Sequence, residues 1–105
     1  MSAQDRIGGF RELVGKSPQD ATLRFGLGNE LFRVERYGEA AEELRAAIEV
    51  KPNYSAAFRM LGRSLLKLGH VEEARQVFER GVAAASEQGD LQTRKEIESF
   101  LKRMS

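Results

Sequence analysis

Apolar residues recur along this chain at intervals of three and four. Leu23, Leu27, Leu31 and Val34 form one stripe, and Ala40, Ala41, Leu44, Ala47 and Ile48 form a second beyond Glu35-Arg36-Tyr37-Gly38. Such spacing keeps the apolar side chains on one face of a helix, so it predicts two helices joined by a turn. The same arrangement returns as Phe58, Leu61, Leu65 and Leu68, a break at Gly69-His70, then Val71, Ala74, Val77, Phe78 and Val82. Gly69 stands where a helix end needs a left-handed backbone, and Asn53 stands where it can cap the next helix.

The two units are one pattern repeated. Pro18 and Pro52 lie 34 residues apart, each in a polar corner. Sliding residues 21–54 onto 55–88 superposes Leu27 on Leu61, Gly28 on Gly62, Leu31 on Leu65, Glu39 on Glu73 and Ala40 on Ala74. Leu44 then meets Phe78, Ala47 meets Gly81 and Ile48 meets Val82. Apart from Glu39 and Glu73, the matches fall on apolar and small positions at helical spacing, and the small residues predict close approach of neighbouring helices.

The ends follow the scheme in part. Ile7, Phe10, Leu13 and Val14 are in step with Ala41, Leu44, Ala47 and Ile48, which makes residues 5–19 a half-repeat with a second helix and no first. That leaves part of the Ile7, Phe10 and Val14 face uncovered unless Met1–Gln4 fold over it, and predicts weak homodimerisation there. The helix from Val71 is expected to run to about Gln88, stopped by Gly89-Asp90. Ile97, Phe100, Leu101 and Met104 then mark a terminal capping helix over residues 90–104, with Lys95, Glu98, Lys102 and Arg103 outside. The expected organisation is one all-α domain over residues 1–105: the half-repeat, units 20–53 and 54–88, and the cap.

Composition narrows the function classes. Seventeen Lys+Arg against sixteen Asp+Glu give a net charge of +1, with no field to drive non-specific nucleic-acid or membrane binding. Two prolines and no tryptophan suit a helical chain better than a turn-rich sandwich. No cysteine is present, so disulfides, thiol catalysis and Cys-ligated metals are excluded. No window has the length of a signal peptide's apolar run or of a membrane span, and a cytoplasmic protein is expected.

The residues do not predict an enzyme. His70 is the only histidine, which rules out a His-rich metal site, and it lies in a turn without a nearby nucleophile motif. Gly26-Leu27-Gly28 falls inside a helical stripe and follows no strand, so it is no phosphate loop. Glu39, Glu42 and Glu43 read as a solvated face beside Arg36 and Arg45. No cofactor or metal is expected.

Leu27-Gly28, Leu31, Ala40, Leu44, Ala47 and Pro52, then Phe58, Leu61-Gly62, Leu65, Ala74, Phe78 and Gly81, resemble the 34-residue unit of the tetratricopeptide repeat family, short stand-alone bacterial members in particular. Arg24 replaces the unit's first aromatic, and Ser86 the second unit's proline. The resemblance implies an α-solenoid of antiparallel helix pairs in a right-handed superhelix, which binds peptides in its concave face and performs no chemistry. The groove positions it implies are Thr22, Phe25, Asn29, Phe32 and Arg33, then Ala56, Arg59, Arg63, Leu66 and Lys67.

Arg59, Arg63 and Lys67 recur every four residues as one positive stripe. Like charges at this spacing repel, so the stripe calls for an anion. One source is an acidic or carboxylate-bearing peptide, held by guanidinium forks. The other is Glu98 of the capping helix, neutralising the stripe from within. Some family members clamp a chaperone's C-terminal carboxylate with a lysine and an asparagine of one unit and an asparagine of the next. Here Asn29 matches, while Phe25 and Met60 replace the other two. The clamp's further lysine and arginine, from a third unit, would fall on Asp90 and Arg94 in uninterrupted register or on Lys95 and Ser99 in the displaced one, and neither restores the whole clamp. The expected function is a non-catalytic adaptor binding a protein or peptide partner, with a structural or self-assembling subunit as the alternative. Arginine outnumbers lysine twelve to five, but the near-neutral charge and the lack of a base-stacking motif disfavour RNA.

Overall fold

The computed structural model describes residues 1–105 as six helices: α1 (Ala3–Lys16), α2 (Ala21–Arg33), α3 (Tyr37–Val50), α4 (Ser55–Lys67), α5 (Val71–Gln88) and α6 (Leu91–Met104). Each helix packs antiparallel on its neighbours in the chain. In addition α4 touches both α2 and α6, so these three share one side of the molecule. No helix is long and apolar enough to cross a membrane.

The helix boundaries follow from local chemistry. Ser2 and Asp5 form a reciprocal capping box on α1, Asp20 accepts from the Leu23 N–H on α2, and Asp90 accepts from the Thr93 N–H on α6. Three helices end in the same turn. Arg36, His70 and Asp90 donate their N–H groups to the carbonyls of Leu31, Leu65 and Ala85 at 2.9, 2.9 and 2.8 Å, which closes a Schellman motif each time. The residue before each donor is left-handed: Glu35 at φ 63°, Gly69 at φ 81° and Gly89 at φ 70°. Gly69 is where the sequence asked for it. Glu35, one repeat earlier, takes the same conformation with a side chain that disfavours it. Asn53 does not cap α4; Tyr54 is the N-cap residue and offers no side-chain bond. The Lys51–Tyr54 turn, closed by the Tyr54 N–H on the Lys51 carbonyl, puts Asn53 one residue too early.

Packing turns on absent side chains. A Cβ on Gly28 would fall 2.7 Å from Leu44 Cγ, and one on Gly62 would run into the Phe78 ring. Leu44 and Phe78 are themselves fully buried. The expected core is present, because Leu27, Leu31, Leu44, Leu61, Leu65 and Phe78 are all at most 2% exposed.

The first helix corrects one expectation. Ile7 and Val14 are buried, and Phe10 is half-buried with its ring over Gly26, so the face thought to be uncovered is seated on α2. Only Leu13 and Met1 stay exposed there, and Met1 does not fold back. Ion pairs add to this seat. Arg6 reaches Glu30 at 3.1 Å and Arg11 reaches Glu39 at 2.9 Å. Arg45 and Glu73 repeat the Arg11–Glu39 pair one unit later, linking α3 to α5. Hydrogen bonding to Arg36 first, and then to Arg11, holds the Glu39 carboxyl below its ordinary range. Both pairs are half-exposed, so each contributes at most about 1 kcal/mol.

Asp90 ties the last helix to the fourth. One oxygen accepts from the Thr93 N–H at 3.1 Å and the other from the Ser55 hydroxyl at 2.7 Å. Bonding to Thr93, then to Ser55, holds this carboxyl below its usual value despite partial burial.

Three outcomes follow for stability. Leu65→Ala should cost roughly 2–5 kcal/mol and largely unfold so short a stack, whereas an unchanged thermal melt would mean that the buried face is misassigned. Glu35→Gly should remove a left-handed strain of about 1–2 kcal/mol at an entropic cost of about 0.5–1, and so raise Tm by a few degrees. Asp90→Ala should cost about 1 kcal/mol at pH 7 through loss of the cap. A carboxyl whose pKa is lowered by folding stabilises above its unfolded value of about 3.9 and loses that contribution as pH falls through its folded value. Paired melts at pH 7 and pH 2.5 should therefore show the gap between wild type and Asp90→Ala narrowing in acid.

Candidate functional site

The shared side of α2, α4 and α6 carries the residues singled out from the sequence. On α2, Phe25, Asn29 and Phe32 are half-buried, while Thr22 and Arg33 are exposed; on α4, Ala56, Arg59, Arg63 and Leu66 are half-buried and Lys67 is exposed. Helical geometry accounts for this: three- and four-residue steps keep each set on one face, next to the core stripe.

Aromatic rings set the local structure. Phe25 lies against Tyr54 with centroids 5.0 Å apart, and Lys51 sits 4.8 Å over the Tyr54 ring. Burial raises the Tyr54 phenol above its ordinary pKa, so it stays neutral. Further along, Phe32 meets Tyr37 edge-on at 5.1 Å, and the Arg63 guanidinium stands 4.9 Å from Phe32 and 5.7 Å from Phe100. Phe100 stacks on the core ring of Phe78 at 5.2 Å and carries Arg103 at 4.6 Å. Arg33 instead pairs along its own helix with Glu30 at 3.4 Å.

The positive stripe on α4 meets three different fates. Arg59 donates to Glu96 of α6 at 3.1 Å, with Gln92 donating to the same carboxylate at 3.2 Å. Arg63 has only the Met60 sulfur, at 3.6 Å, and the two rings. Lys67 points to solvent without an ion pair. Neutralisation by Glu98 is thus corrected: Glu98 accepts from Arg94 at 3.3 Å. Two residues on a helix are about 200° apart, so Glu96 faces α4 and Glu98 cannot.

Two polar atoms on this side are shut off from water without a hydrogen-bond partner, Asn29 Oδ1 and Arg59 Nε. Between α4 and α6 opens a cleft of about 470 Å³, lined by Arg63, Lys95, Glu96, Ser99, Phe100 and Arg103. Reasoning from the sequence missed Lys95, Phe100 and Arg103 as site residues, having assigned Phe100 to the core and the two cations to the outside of a cap. Their signal was the i, i+4, i+8 spacing of Lys95, Ser99 and Arg103, the same spacing that marked Arg59, Arg63 and Lys67. His70 lies away from this face, exposed at the start of α5 and 3.8 Å from Glu73. The side formed by α2, α4 and α6 offers apolar rings, hydrogen-bonding groups and positive charge, an assortment fit for holding a ligand.

Residues 25–89 match the family model described as tetratricopeptide repeat. A TPR repeat-containing protein of Pseudomonas aeruginosa is 37% identical over 98 residues, covering 93% of both chains. The solution structure of a Bordetella parapertussis protein is 36% identical at a TM-score of 0.80, covering 93% of this chain and 85% of that one. The TPR2B domain of yeast Sti1, solved as a complex with an Hsp70 peptide, superposes at a TM-score of 0.92 over 97% of this chain and 82% of its own. At 17% identity that likeness establishes the fold alone. With its repeated helix pairs, the family model matched over residues 25–89 and a bacterial relative 37% identical over 93% of both chains, this chain belongs to the tetratricopeptide repeat family.

Proposed function

We propose that the chain is a non-catalytic interaction module that takes a peptide segment of a protein partner, acidic in character, across α2, α4 and α6. The observation that carries this reading is one face on which the half-buried rings of Phe25 and Phe32 lie with Asn29 and with Arg63, whose guanidinium has no ion pair. The likeness to a Sti1 domain solved with a peptide supports the choice of ligand class. A chaperone-type carboxylate clamp is disfavoured, since Phe25 stands at its lysine and the asparagine of the next unit is the buried Met60.

Open grooves of this kind hold peptides at about micromolar Kd, because exposed charge pairs are screened and ordering the peptide is costly. Selection from a random peptide library should therefore enrich acidic sequences that bind in this range and weaken at high salt. Asn29→Ala and Phe25→Ala should each lower that affinity about tenfold. Asn29→Ala should leave the melting temperature within a few degrees, whereas Phe25→Ala, which also strips a ring packed on the core and on Tyr54, should lower it, so its binding is measured at a temperature where the chain stays folded. Peptides whose binding ignores both substitutions, or whose contacts map to α3 and α5, would overturn the reading.

A further inference from the structure

The distribution of arginines singles out one place. Of the twelve in the chain, nine are in ion pairs: Arg6, Arg11, Arg24, Arg33, Arg36, Arg45, Arg59, Arg75 and Arg94. The remaining three, Arg63, Arg80 and Arg103, each lie over an aromatic ring. Two of these three converge with Lys95 on the cleft between α4 and α6. We propose that this cleft is a subsite for a dianionic group of the bound peptide, either a phosphorylated side chain or two adjacent carboxylates. The inference rests on the peptide-binding reading above and adds the chemistry that selects the partner.

Charge decides the ligand class. The lining carries three cations, Arg63, Lys95 and Arg103, against one carboxylate, Glu96. Glu96 is already held by Arg59 and Gln92, so it offers the three cations little. A lone carboxylate would leave part of the surplus uncompensated, whereas a phosphoryl group brings a charge of about −1.5 to −2 at neutral pH. Geometry agrees. Phe32 and Phe100 hold the two guanidinium carbons 4.6–5.7 Å from their ring centres, and neither guanidinium has a carboxylate partner, so each has N–H groups to offer an oxyanion. Their present partners are weak: the Met60 sulfur for Arg63 at 3.6 Å, and the Ser99 carbonyl for Arg103 at 3.4 Å. Lys95 is exposed and the Ser99 hydroxyl lines the same opening. Lys95 and Ser99 stand where the displaced register puts the third-unit lysine and arginine of the family's clamp, but the cations that distinguish this cleft, Arg63 and Arg103, and the Phe100 ring between them are not clamp positions. A nucleic-acid backbone could supply the same charge, but the net charge of +1 gives no extended field for it.

The test uses the full chain, isotope-labelled for NMR. Titrants are three forms of one alanine-glycine hexapeptide carrying Ser, phosphoserine or Glu-Glu at its centre, with inorganic phosphate and an oligouridylate alongside. The phosphoserine or Glu-Glu form should bind at least about tenfold more tightly than the Ser form and move the Arg63 and Arg103 Nε–H signals and the Ser99 amide. Whichever ranks first identifies the source of the dianion. Lys95→Gln with Arg103→Gln should erase the preference without changing the melt by more than a few degrees. Equal, scattered perturbation by all three peptides would overturn the subsite, as would tighter seating of the oligouridylate in the cleft. The two readings fail differently. If the groove reading fails, the phosphoserine preference persists while Asn29→Ala and Phe25→Ala leave library-selected peptides unaffected. If the subsite fails, those peptides still need Asn29 and Phe25 but are indifferent to Lys95→Gln and Arg103→Gln.

Discussion

Close approach of helices is the constraint on which the rest of this structure depends. Leu44 occupies the space that a side chain on Gly28 would need, and Phe78 occupies that of Gly62. Gly81 makes room in the same way for Phe58 and Ile97. Large and small residues are thus matched at these contacts, which lets a thin stack pack closely without a deep core. The consequence for function is geometric. Helices seated this tightly bring α2, α4 and α6 to one side, and their ring-bearing faces become a continuous surface.

What the sequence made legible is what repeats. Leu27 and Leu61, or Leu31 and Leu65, are buried because a helix with apolar residues at that period has only one face to bury. Gly69 was legible because its position permits one backbone conformation. The identity of Glu39 and Glu73 was visible in the alignment, and its reason became clear only with the structure, in the paired contacts of Arg11 and Arg45 from the preceding second helix. Asn53 shows the limit. Its suitability as a cap is a property of the residue, but whether it caps depends on a tight turn that ends one residue later.

The candidate site was harder to read because it depends on partners between helices rather than on residues within one. Arg59, Arg63 and Lys67 look equivalent along the chain, with identical spacing and nearly identical chemistry. In the fold one faces a carboxylate, one faces two rings and one faces water. Choosing Glu96 over Glu98 requires the rotation of α6 about its axis, which a sequence stripe of four apolar residues defines only loosely. The same looseness hid Phe100, whose ring is at once a core contact for Phe78 and a platform for Arg63 and Arg103.

That double role traces to the length of α5. It has 18 residues where α3 has 14, one further turn of helix, equivalent to about 6 Å of rise. The last turn of the chain is carried along with it, and Asp90 then caps α6 while accepting the Ser55 hydroxyl. An α6 fixed in this way cannot simply cover the end of the stack. It presents Phe100 and Ile97 inward, and on its adjacent face Lys95, Ser99 and Arg103 beside Arg63. A capping helix needs a polar outer surface for solubility, and cations scattered over it would meet that need. Their convergence on one cleft, beside arginines that are otherwise almost all neutralised, is more than capping requires. The extra turn of α5 is therefore the structural step that makes the last helix one wall of the cleft beside Arg63.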